Sequence, residues 1–160
     1  IQRAIEFSAG LRLGIARRMG ADHVIDSSRT DPIEEIMRLT DGRGVDVVYD
    51  PVGGDVFDES TRCVAFGGKL LVVGFAGGRI ADISTNIPLI KGFSVVGVRA
   101  GEYARRFPER GKAIRDAMLA LAAEGRLTPH IDRVLPLDRW REAFAAMAAR
   151  EIVGKVVLEP

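Results

Sequence analysis

Four short segments of the 160-residue chain set small residues beside a group able to bind something. Asp50-Pro-Val-Gly-Gly54 joins two glycines to an acid, and Gly74-Phe-Ala-Gly-Gly78 surrounds one aromatic ring with glycine and alanine. Adjacent glycines let a backbone approach a ligand that side chains would hold off. The small neighbours of Phe75 leave room for a flat ring to lie there. Ser8-Ala-Gly-Leu-Arg12 offers a hydroxyl and a cation about one helical turn apart, and Gly97-Val-Arg-Ala-Gly101 is the fourth candidate. Each has a plainer reading as well: an ordinary turn at 50–54, a mobile glycine loop at 74–78, and a helix cap with a solvated arginine at 8–12.

The elements that must position these segments follow from the apolar pattern. Short β-branched runs at 23–25, 45–49, 69–74, 93–98 and 155–158, with a weaker one at 3–7, predict buried parallel strands. Helical stretches lie between them. The second is the best signalled, with Asp31 as N-cap, Pro32 at the first helical position and Glu34 two residues on, and Ile33, Ile36, Met37 and Leu39 on one side. Helices are also expected at about 10–19 and 55–65. The resulting alternation is that of an α/β doubly wound parallel sheet, Rossmann-like. The stretch from Ala76 to Asn86 reads as a long connection. Helices at 108–124 and 138–150 flank an extended 130–135, and their stripes of Ile114, Ala117, Met118 and Leu121, and of Trp140, Phe144 and Met147, are expected to face the core. One domain, residues 1–160, is the economical reading.

In such a sheet the ligand crevice lies beyond the carboxyl ends of the strands, where all four segments fall. The end of the first candidate strand is the point where a dinucleotide's adenosine ribose is met. An acid there selects NAD, while a base accepts the 2′-phosphate of NADP, so Ser8 and Arg12 are the candidates for that contact.

Other chemistries are excluded residue by residue. No window matches the GxGxxG phosphate cradle; Gly42-Arg-Gly-Val-Asp-Val47 fails at its last glycine and precedes a strand. There is no nucleophile elbow, P-loop or paired-histidine zinc motif. Cys63, alone and beside Val64 and Phe66, reads as a small core residue, and His130 as a structural histidine. Lys and Arg number 23 against 22 Asp and Glu, so no basic footprint for nucleic acid stands out. The cations from Arg99 to Arg115 alternate with Glu102, Glu109 and Asp116, as on a solvated helix face. Apolar runs such as 69–76 fall far short of the roughly 20 residues of a membrane helix. The chain begins at Ile1 rather than Met and shows no charged and apolar leader, which leads to the expectation of a cytoplasmic protein and of a piece of a longer one.

Gly20-Ala-Asp-His-Val-Ile-Asp26, Gly44-Val-Asp-Val-Val-Tyr-Asp-Pro-Val-Gly-Gly54, Gly67-Gly-Lys-Leu-Leu-Val-Val-Gly-Phe-Ala76 and Gly154-Lys-Val-Val-Leu158 together resemble the cofactor domain of medium-chain dehydrogenase/reductases. The nearest branch is the zinc-free NADPH:quinone oxidoreductases, and the resemblance runs from about Ser8 to the C-terminus. It implies hydride transfer from NADPH to a small-molecule quinone or enone, with no catalytic residue assigned in this chain. Carried over, Ser8 and Arg12 hold the NADP 2′-phosphate. Val52 and Gly53 form the crevice turn, and Gly74, Phe75 and Ala76 pack near the nicotinamide. The run from Phe93 to Val98 matches the edge through which such sheets pair as homodimers. Ser27 replaces a common aromatic, and Arg3 and Glu6 stand where apolar residues are usual. The first strand-turn-helix, with its glycine fingerprint, and the catalytic domain are not seen, so this chain alone is expected to be inactive. The competing readings are a non-catalytic nucleotide-binding or dimerisation module and, more remotely, another doubly wound enzyme such as a methyltransferase.

Overall fold

The computed structural model describes residues 5–8 and 10–160, and for residues 6–8 and 11 the backbone alone. Helices and strands alternate as β1 (Ile5–Ser8), α1 (Leu11–Arg18), β2 (His23–Asp26), α2 (Pro32–Leu39), β3 (Val45–Asp50), α3 (Asp55–Ser60), β4 (Val64–Val72), α4 (Asn86–Lys91) and β5 (Ser94–Gly97). There follow α5 (Ala100–Arg106), α6 (Pro108–Ala123), β6 (Ile131–Pro136), a 3₁₀ turn (Leu137–Arg139), α7 (Trp140–Ala148) and β7 (Lys155–Glu159). Residue 3 and the side chain of Glu6, on which the doubts about the first strand rested, lie outside the described residues.

Every described strand pair is parallel, and the fold is Rossmann-like α/β. The described strands do not join into one sheet, however. Hydrogen bonding groups them as β1-β2, β3-β4-β5 and β6-β7. The parallel, helix-connected character follows from the buried β-branched runs, whereas sheet continuity requires a hydrogen-bonded neighbour at every position. Among the described residues β5 ends its sheet, so its outer edge is unpaired.

Helix α2 forms as its sequence dictates. The Asp31 carboxylate accepts from the Ile33 amide at 2.8 Å and the Glu34 amide at 3.4 Å, satisfying two donors that a helix start leaves orphaned. Ile33 and Ile36 are buried against Ile25 and Cys63. A second cluster places Phe57, Val64, Leu70 and Phe93 together, with Val48 and Val72 packed against it. Burial pushes the Cys63 thiol pKa up, in keeping with a core residue.

Several boundaries differ from expectation. Helix α3 stops at Ser60 instead of about residue 65, and β4 begins at Val64 instead of about residue 69. The reason is a ladder bond from the Val45 amide to the Cys63 carbonyl at 2.8 Å, which draws the chain into pairing with β3 early. The register then shifts between Val45 and Val47, and Phe66 is turned outward. Helix α4 begins where the expected 76–86 connection ends, and α5 precedes α6. The expected 93–98 strand is narrower, Ser94–Gly97.

The large apolar stripes of the last helices are not buried. Ile114, Met118, Trp140, Phe144 and Met147 are all exposed, between 43% and 60%. Small residues face inward instead. Gly111 of α6 lies so close to α5 that an added Cβ would stand 2.7 Å from the Ala104 Cβ, and α7 buries Ala143 and Ala146. A periodic stripe marks a face that prefers cover, and nothing among the described residues supplies it. The cations of α5 and α6 are tied locally, Arg105 and Arg106 to Glu102 and Lys112 to Asp116, as a solvated surface requires.

Candidate functional site

Parallel pairing brings Asp50 opposite Val72, so β3 and β4 end side by side and their glycine-bearing loops leave from the same place. The loops are laced together. The Asp50 carbonyl accepts from the Val73 amide at 2.9 Å and the Gly74 amide at 3.4 Å. The Pro51 carbonyl accepts from Ala76 at 3.1 Å, and the Val52 carbonyl from Gly77 at 2.9 Å. On its own loop the Asp50 Oδ1 accepts from the Val52 and Gly53 amides at 2.8 and 2.9 Å, the local turn an aspartate makes with residues two and three ahead.

Glycine is required where these loops meet. Gly53 has φ +71°, and a Cβ there would lie 3.1 Å from Cδ1 of Phe75 and 3.4 Å from the Gly74 carbonyl oxygen. At Gly77 an added Cβ would meet the Val52 carbonyl oxygen at 3.1 Å. The Phe75 ring is thus seated at Gly53, yet it remains 47% exposed. Beyond it the guanidinium of Arg79 pairs with Asp58 and, at 2.8 Å, with Asp55 on α3. These carboxylates raise the Arg79 pKa above its ordinary value. The fourth sequence segment begins beside the other two, since the Val98 amide donates to the Val72 carbonyl at 2.9 Å.

Val52, Gly53, Gly74, Phe75 and Ala76 therefore come together as one wall at the carboxyl ends of β3 and β4. Ser8 and Arg12 sit elsewhere, at the end of β1 and in the first turn of α1, on the separate β1-β2 pair. Arg12 is exposed, and the side chain of Ser8 lies outside the described residues. At the end of neighbouring β2, Asp26 accepts from the Ser28 hydroxyl at 2.5 Å and amide at 3.1 Å, which holds its carboxyl below the usual range. The His130 carbonyl accepts from the Lys155 amide at 3.0 Å, at the start of β7. Arg79 was not singled out by its sequence context. Asp50 organises the turn at 50–54, and the signal for that in the sequence is an aspartate followed at once by Pro-Val-Gly-Gly.

Residues 19–158 match the family model described as zinc-binding dehydrogenase. The chain belongs to this family. It is 39% identical over 145 residues to quinone oxidoreductase-like protein 2 of Bos taurus, covering 90% of this chain and 41% of that protein. It is 34% identical over 147 residues to a quinone oxidoreductase of Pseudomonas aeruginosa, covering 91% and 45% respectively. A crystal structure of a quinone oxidoreductase from Pseudomonas syringae pv. tomato superimposes with a TM-score of 0.86 at 27% identity, over 99% of this chain and 49% of that one. The resemblance to the quinone oxidoreductase group of medium-chain dehydrogenase/reductases is thereby borne out, and the chain spans under half the length of the relatives it matches.

The family's description names zinc. Among the described residues no three His, Cys, Asp or Glu side chains converge as a metal ion needs, and Cys63 is buried among the apolar side chains of Ile25, Ile33 and Ile36. These residues do not fit a zinc site, and no chemistry is routed through one. Gly53 is itself buried beneath the Phe75 ring, so the open part of the wall is the exposed ring of Phe75 with the small Ala76 beside it.

Gly53→Ala should destabilise the protein by about 1–3 kcal/mol, since it forces a left-handed alanine and crowds Phe75. Gly101→Ala, inside α5 with open space around it, should shift stability the other way by about 0.5–1 kcal/mol. Urea unfolding of the two variants checks both signs.

Proposed function

We propose that this chain forms the nicotinamide-cofactor half of an oxidoreductase that reduces a quinone or enone, with NADPH as the cofactor. The observation that carries the reading is the interlocked glycine wall with its exposed Phe75, set at the carboxyl ends of two adjacent parallel strands, where open α/β sheets bind ligands. Relatives named quinone oxidoreductase support the reaction class. When bound, the reduced nicotinamide supplies the hydride, and the protein's part is to hold and aim it.

Each residue then has a task. Val52 and Gly53 form the crevice turn that seats Phe75, and Gly74, Phe75 and Ala76 flank the nicotinamide end. Ser8 and Arg12 receive the 2′-phosphate. Residues 1–160 act as one cofactor-binding unit of a cytoplasmic enzyme; no described helix is long and apolar enough to cross a membrane. Copies pair through β5, whose free edge carries no charge or proline.

The test is a chimera in which this chain replaces the matching residues of the Pseudomonas aeruginosa quinone oxidoreductase. NADPH oxidation with a simple quinone should appear in the chimera and be absent from the 160-residue chain alone, because the chain has no glycine fingerprint to cradle the pyrophosphate. An inactive but folded chimera that still binds NADPH would favour a non-catalytic binding module.

Within the active chimera, Arg12→Ala should weaken NADPH binding by roughly tenfold or more and leave NADH nearly unchanged, since a charge-assisted bond to phosphate contributes about 1.5–3 kcal/mol. Equal losses for the two cofactors would contradict the assignment. Light scattering should find wild-type chain dimeric and Val96→Pro monomeric, as proline removes a donor in mid-strand, with circular dichroism establishing that the variant is folded.

A further inference from the structure

We infer that Asp50 is the positioning residue of the crevice, its carboxylate shaping the Val52-Gly53 turn and its carbonyl holding the start of the 74–79 strap, and that it so fixes the ring of Phe75. The inference concerns the same site as the proposed function, and its consequence for cofactor binding rests on that reading. The coupling of the two loops does not.

Asp50 continues the inward face of β3. Val48, two residues earlier, packs into the apolar cluster around Leu70, and Asp50 is itself only 2% exposed. Strand periodicity alone would put an apolar side chain there, and an acid at such a position is costly unless hydrogen-bonded. Its bonds reach in two directions. The side-chain Oδ1 takes the amides of Val52 and Gly53, while the main-chain carbonyl takes those of Val73 and Gly74 from the other loop. One residue thus sets the position of both loops, and the further bonds from Ala76 to Pro51 and from Gly77 to Val52 require the turn to be in place.

The strap has little else to hold it. Gly74, Ala76, Gly77 and Gly78 have no side chain large enough to anchor it by packing, and Phe75, the large residue among them, is half exposed. Its far end is latched by Arg79 to Asp55 and Asp58. Between Arg79 and Asp50 the position of the ring depends on backbone bonds organised by the turn. The second carboxylate oxygen, Oδ2, is buried and has no partner among the described residues. Oδ1 therefore holds the turn by itself, and an asparagine, which keeps that acceptor, should serve equally well.

Hydrogen exchange on the 160-residue chain tests this directly. In Asp50→Ala the amides of Ala76 and Gly77, whose own acceptors are untouched carbonyls, should exchange at least tenfold faster, while Leu70 and its neighbours keep wild-type protection. Asp50→Asn should restore protection at both amides. Unchanged exchange at 76 and 77 in Asp50→Ala, or an Asp50→Asn variant as unprotected as the alanine, would overturn the inference.

Should Asp50→Ala not fold, Gly77→Val carries the test. It wedges a side chain against the Val52 carbonyl, 3.1 Å from the position of its Cβ, and leaves Asp50 intact. Faster exchange at 52 and 53 then supports a coupled pair of loops, and wild-type exchange there overturns it. In the chimera Asp50→Ala should raise the KM for NADPH at least tenfold with asparagine near wild type. A folded wild-type chimera that neither turns over nor binds NADPH defeats the cofactor reading alone, whereas uncoupled loops in an active chimera defeat this inference alone.

Discussion

The pairing of β3 with β4 sets Asp50 opposite Val72, and from that register the rest of the candidate site follows. Two parallel strands that end level with one another release their loops at one point. The backbone amides and carbonyls leaving the ladder must find partners nearby if they are buried. Here they find each other, through Asp50 and Val73, Pro51 and Ala76, Val52 and Gly77. Close lacing of this kind leaves no room for Cβ atoms, which is why the chemistry-bearing segments are glycine-rich. A shift of one residue in the β3-β4 register would turn Asp50 outward and separate the loops.

The packing beneath is built to hold that register. Leu70, in the middle of β4, is wholly buried among Phe57, Val64 and Phe93, and Val48 and Val72 close on it from both strands. A distinct cluster of Ile25, Ile33, Ile36 and Cys63 anchors β2 and α2, and Val45 reaches it from the start of β3. The C-terminal third is organised differently. Its helices bury glycine and alanine and turn Ile114, Met118, Trp140, Phe144 and Met147 to the outside. A buried small face permits close helix packing, and the outward stripe retains the apolar area that the helix would otherwise have covered.

Much of this was legible beforehand, and the reasons differ by element. The start of α2 could be read because Asp31, Pro32 and Glu34 act within a few residues of the helix they begin. Strands β3 and β5 were found to within a residue or two, since β-branched runs bounded by glycine have few other uses. The boundary between α3 and β4 was misread by several residues, because the bond from Val45 to Cys63 that decides it joins positions far apart in the chain. The inward face of α7 was misassigned for a related reason. Periodicity shows that a helix has an apolar side, but which side meets the protein depends on what lies opposite.

The sequence by itself determined the parallel α/β character, the family through its four blocks, and the glycine segments as places of close backbone approach. Those properties reside in local conformational preference and in residues adjacent along the chain. Tertiary structure alone decided that the 50–54 and 74–78 segments form one wall, that Asp50 serves both, and that Arg79 latches the strap to α3. It also left Ser8 on a pair of strands not bonded to β3 and β4, with Arg12 on the helix that follows. Each of these is a juxtaposition across the sheet, set by strand register and not by the spacing of residues in sequence.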